Sequence, residues 1–171
     1  MPAGKRAVRS LTVAVIGFAL PLGACREVSV PIEAATAVEV EFDQAVPRRD
    51  PRAVHTYGLE AVVSRETLSA IVEEQLYTFV HVTRCSDHEI IAIAETRLGE
   101  IDLMDFDALR ARLARDPEAR FRLSAKFSSP KTLVSGEACL AFDGGGYAGG
   151  QASSRPIPIA VGGAPGRPGG A

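Results

Sequence analysis

Phe121-Arg122-Leu123-Ser124-Ala125-Lys126-Phe127-Ser128 alternates apolar and polar residues without a break. A period of two puts Phe121, Leu123, Ala125 and Phe127 on one face and the polar residues on the other, as a strand with one buried face requires. Ser129-Pro130 ends it, and Thr132 to Phe142 reads as a further strand. Upstream, Asp105 is placed to cap a short helix that turns Phe106, Leu109 and Leu113 inward and stops at Asp116-Pro117. Tyr77–Thr83 and Ile90–Thr96 are rich in β-branched residues and suggest an antiparallel hairpin with Cys85 at its tip. Ser64 reads as the N-cap of another helix, with Leu68, Ile71, Val72 and Leu76 on one face and Glu66 in its first turn.

Further out the pattern weakens. Leu59–Val63 fits either a strand or the approach to the Ser64 helix, and Ala37–Phe42 alternates as a half-buried strand does. Pro47–Arg52, with two prolines and four charges, is a loop. Ile157 and Ile159, between prolines, suit an edge strand, and the Gly/Pro-rich residues 161–171 suggest a disordered tail. Strands with two short helices and no βαβ alternation predict a β-rich α+β domain, built as a small antiparallel sheet or sandwich-like body over residues 37–160.

The N-terminus carries a different signal. Lys5, Arg6 and Arg9 precede an apolar run from Leu11 to Leu22, interrupted by Gly17 and Pro21. About 12 residues fall short of the roughly 20 that span a bilayer, so the run reads as a cleavable export segment. Its close, Leu22-Gly23-Ala24-Cys25, resembles the lipobox of bacterial lipoproteins. That resemblance implies a signal peptide over residues 1–24 and a diacylglycerol on the Cys25 thiol. It also implies attachment to the membrane through that lipid. Cleavage there by an ordinary signal peptidase, leaving Cys25 a free or paired thiol, is one alternative, and a segment retained in a cytosolic protein is another. Arg26, rather than an aspartate, follows the cysteine, which implies the outer membrane, facing the periplasm, in a diderm host. Residues 25–36 are then expected to be a lipidated N-terminus and tether.

Loss of the signal removes three bases and no acids, taking the formal charge from −2 to −5. An acidic surface argues against nucleic acid. Of three cysteines, Cys25 belongs to the anchor, and export leaves Cys85 and Cys139 in an oxidising compartment where two such residues pair.

Candidate chemistry is sparse. His81, Cys85, Asp87, His88 and Glu89 offer zinc-type ligands, with His81, Cys85 and His88 the core of a possible metal site. That site needs Cys85 as a free thiolate, which the expected disulfide denies it. Ser86-Asp87-His88 has the residue types of a triad, yet consecutive residues cannot chain their side chains in the required order. Cys85 with His81 or His55 would need a depressed thiol pKa. Gly144–Gly149 matches G-x-G-x-x-G, but Ser153–Pro158 follows where the dinucleotide motif needs a helix, so a flexible hairpin loop is expected. Asp102, Asp105 and Asp107 lack the glycine and distal acid of an EF-hand.

No catalytic set and no cofactor follow from these residues. The expectation is a lipid-anchored, non-enzymatic module that binds another envelope protein or component. The alternative is an envelope metal-binding protein or enzyme using His81, Cys85 and His88. A small-ligand carrier lined by Phe79, Phe121 and Phe127 is a third reading.

Overall fold

Residues 27–146 and 150–162 are described by a computed structural model. The chain forms β1 (Glu27–Ser29), β2 (Ile32–Val40), β3 (His55–Ser64), α1 (Arg65–Glu73), β4 (Leu76–Arg84), β5 (Ile90–Ala94), β6 (Thr96–Leu98) and β7 (Ile101–Asp102). After these come α2 (Phe106–Arg115), β8 (Arg120–Ser129), β9 (Ala138–Gly146), β10 (Gln151–Ser153), β11 (Ile157–Pro158) and β12 (Ala160–Gly162). One sheet, A, runs β1-β10-β9-β4-β5 with β11 also on β9, and the other, B, runs β12-β2-β3-β8-β6-β7.

The β-rich α+β class with two helices is therefore observed. Both sheets are mixed, which corrects the expectation of a purely antiparallel one. β1 lies parallel to β10, and β12 parallel to β2.

The alternation around Phe121 behaves as its chemistry demands. Phe121, Leu123 and Phe127 are buried, while Arg122, Ser124 and Lys126 face water. β8 lies against the full length of β3, with Tyr57 opposite Phe127 and Val63 opposite Phe121. On sheet A, Val80 and Val82 of β4 and Leu140 and Phe142 of β9 turn inward. Buried residues of both sheets and both helices belong to one apolar cluster. Within it the Tyr57 and Phe127 rings stack at 5.4 Å, and the Tyr57 hydroxyl accepts the Leu133 N–H at 2.9 Å. Burial pushes the Tyr57 phenol up.

Both helices start where their caps indicate. The Ser64 side chain accepts from the Thr67 N–H, and the Asp105 carboxylate from the Ala108 N–H. Leu68, Ile71 and Val72 of α1, and Leu109 and Leu113 of α2, are buried. Arg65 ties the helices together by donating to the Asp116 carbonyl at 2.6 Å.

Five boundaries differ from the sequence reading. The tether expected over residues 25–36 is instead structured from Glu27 onward, as β1 and the first half of β2, with Val30 wholly buried. The strand expected from Thr132 begins only at Ala138, because the Leu133 N–H is taken by Tyr57 rather than by a neighbouring strand. At the other end of β9, Gly144, Gly145 and Gly146 extend the strand rather than opening a loop. A Cβ on Gly144 would lie 2.0 Å from the Tyr77 carbonyl oxygen, so only glycine permits that pairing. Ile90–Thr96 is two strands: the chain passes from sheet A to sheet B at Glu95. Of the expected tail, Val161 and Gly162 belong to β12, and residues 163–171 lie outside the described residues.

Candidate functional site

Cys25 and the whole signal segment also lie outside the described residues. Cys85 and Cys139 come together at disulfide distance, with Cα atoms 5.1 Å apart. The sheet register explains why. Cys139 stands opposite Thr83, and the Cys85 N–H donates to the Glu137 carbonyl, so the two cysteines are diagonal neighbours across β4 and β9.

The structure does not assemble the His81–Cys85–His88 cluster. The Cys85 sulfur is committed to Cys139, the His81 ring lies 3.8 Å from Asp143, and His88 occupies an exposed turn with φ 59°. Among the described residues no three His, Cys, Asp or Glu side chains are placed to hold a metal. Asp87 accepts the Glu89 N–H and meets Arg84, which together hold its carboxyl below the usual range. His55 is engaged by Glu39 at 2.8 Å. Nor do the three phenylalanines line one pocket: Phe121 and Phe127 are core, while Phe79 points out of sheet A and is exposed.

The most distinctive concavity is elsewhere. On the outer face of sheet B an open groove of about 750 Å³ runs across β2, β3 and β8. Val38, Gly58, Ser124 and Lys126 line it, together with the charged Arg97 and Glu95. Val38 opposes Gly58, and Gly58 opposes Lys126, so the groove follows one cross-strand row.

Gly58 is the residue that needs explaining. It is not among the positive-φ glycines, and a Cβ there would meet only Val40 Cγ1 at 3.6 Å and the Val38 oxygen at 3.9 Å. Neither backbone nor packing within the described residues requires glycine. A strand interior loses roughly 0.5–1 kcal/mol by having it. With no register shift at Gly58, the bulge that often explains a strand glycine is absent there, which leaves room for close approach by another group.

The surroundings support the same conclusion. Val38, Val40, Phe42 and Ile93 leave more than a third of their area exposed. Lys126 meets Asp43 at 3.5 Å, with the lysine side chain 60% and the aspartate 39% exposed. Such a pair contributes at most about 1 kcal/mol and is readily displaced. A second, wider cleft lies beside the Cys85 turn, where Arg52 pairs with Asp50 and Arg84 with Glu89. Arg52 draws the Asp50 carboxyl down to about 2.

The sequence places β3 only from Leu59, which leaves Gly58 outside it and the groove hidden. The available signal was Gly58 between Tyr57 and Leu59, a glycine inside an apolar run.

No family model matches the chain, and no curated protein does. Two solved structures show a likeness, BcpA, the major pilin subunit of Bacillus cereus, and a variant of it. Each is 11% identical, with TM-scores of 0.24 and 0.25 respectively. The alignments cover 75% and 76% of this chain and 40% and 41% of the pilin, so the chain spans about two fifths of that protein's length. At those TM-scores the likeness defines neither a shared fold nor a shared role.

Proposed function

We propose that this chain is a lipid-anchored envelope protein, and that its sandwich-like body is a non-enzymatic docking module for another envelope component. The export signal ending at Cys25 supports the anchor, and a cysteine pair at bonding distance suits an oxidising compartment. The groove over Gly58 carries the docking reading. A central strand gives up a side chain there without any gain within the described residues, and exposed Val38, Val40 and Ile93 offer apolar contact. Strand addition at an edge is the other mode: β1, β7 and β12 are edges of only two or three residues, whereas β5, the remaining edge, has five.

A photoreactive side chain at Thr36, on the groove's lining, should give one discrete adduct with an envelope component in the protein's own membranes. Gly58→Phe, which fills the groove, should reduce that adduct at least about tenfold, the equivalent of roughly 1.4 kcal/mol. A folded Gly58→Phe variant that crosslinks as well as the parent would contradict the groove as the docking site.

A further inference from the structure

We propose that acylated Cys25 holds the body directly on the bilayer, with the corner where β1 begins against zwitterionic phospholipid head groups and the Cys85–Glu89 turn facing away. The inference rests on the lipid-anchor reading and deepens it, since it specifies how the anchored body sits.

The argument starts from covalent reach. One residue, Arg26, separates Cys25 from Glu27, and consecutive Cα atoms are about 3.8 Å apart, so the two positions lie within roughly 7 Å of each other. Glu27 already belongs to the fold. It pairs with Gln151, Val28 with Ala152 and Ser29 with Ser153, and the Ser153 hydroxyl donates to the Glu27 carboxylate at 2.8 Å. Just beyond, the Val30 N–H donates to the Ser153 carbonyl at 3.0 Å, and the Val30 side chain is fully buried. Lengthening the leash would strip β1 from β10 and bring Val30 into water. A diacylglycerol on the Cys25 sulfur sits where acyl chains meet head groups. The head-group layer is itself about 5–7 Å deep, so Glu27 is confined to that layer or its rim.

The sheet register identifies the rest of the corner. Gln151 lies opposite Gly145, and Gly145 opposite Tyr77, so the starts of β1, β10 and β4 and the end of β9 share one end of sheet A. α1 feeds into the same end, with the Glu74 carbonyl 3.0 Å from where a Gly146 Cβ would stand. The Cys85–Glu89 turn is at the other end, eight residues along β4, or about 27 Å at the usual rise per residue. Charge then selects the lipid. Arg26 and Glu27 offset one another beside the anchor and Glu73 is exposed at the same corner, so the corner carries no net positive charge to draw anionic head groups within a Debye length of about 8 Å. A zwitterionic surface fits.

The chain contains no tryptophan, so single substitutions report cleanly. Gln151→Trp and Ser86→Trp place one reporter at each end, both at exposed positions. Acylated protein is reconstituted into phosphatidylcholine vesicles carrying a head-group nitroxide lipid, and acyl mass on Cys25 is verified on the same sample. Emission from Gln151→Trp should be quenched severalfold more than that from Ser86→Trp. A ten-residue Gly/Ser insertion between Arg26 and Glu27, with an end-to-end reach of about 17 Å, should relieve the Gln151→Trp quenching. Equal quenching at both ends, or quenching unchanged by the linker, overturns the orientation while leaving the anchor intact. Absence of acyl mass overturns the anchor reading, and the orientation with it.

Discussion

Replacing Cys139 by serine is expected to lower the stability of the folded body by about 4 kcal/mol. The bond to Cys85 closes a loop with a sequence separation of 54, and the chain-entropy estimate for a loop of that size is about 4 kcal/mol. Small domains have a net stability of roughly 5–15 kcal/mol, so the loss would be a large share of the total. Cys85→Ser should cost nearly as much, and the double variant little more than either single one. Urea titration of all three checks the claim. If the two losses simply add, each sulfur acts through its own packing rather than through a shared bond. The location makes a concentrated effect reasonable, because the bond joins β4 to β9 at the end where β5 turns back.

Phe127→Ala is expected to cost about 3–5 kcal/mol, the range for truncating a buried aromatic. The ring is fully buried, stacks on Tyr57 at 5.4 Å, and sits beside the hydroxyl that anchors the 130–137 segment through Leu133. Phe79→Ala, by contrast, should cost clearly less, since 37% of Phe79 is exposed on the outer face of sheet A. Comparable losses at the two positions would mean that Phe79 is packed in solution and that the outer face of sheet A is covered.

What could be read from the chain alone follows the range of the forces involved. β8, α1 and α2 were legible because alternation, caps and helical spacing are local properties of the sequence. The cysteine pair was legible from compartment and parity, before any geometry. Glu27–Ser29 was not, because its pairing partner, Gln151–Ser153, lies more than a hundred residues away and leaves no local imprint. The same holds for β12 on β2. Gly144 misled for a different reason. Glycine usually signals a loop, but here it lets β9 pass the Tyr77 carbonyl. Ile90–Thr96 looked like one strand because both halves are apolar, and the crossing at Glu95 is decided by the sheets on either side.

The candidate site divides in the same way. The metal cluster was drawn from residue types close in sequence, and the fold sends Cys85 to Cys139 and His81 to Asp143 instead. The groove depends on Val38, Gly58 and Lys126, three residues brought into one row only by the register of β2, β3 and β8. Replacing the tether by β1 changes the functional picture most. Under the proposed lipid anchor, a long leash would let the body search for a partner away from the membrane, whereas a leash of one residue would confine docking to the membrane surface.

The most direct test is the mass of the protein extracted from its own membranes in detergent, with thiol alkylation before and after reduction. The account predicts a chain that begins at Cys25 and carries acyl mass there, with Cys85 and Cys139 alkylated only after reduction. A chain without acyl mass, or with Cys85 alkylated before reduction, would contradict it.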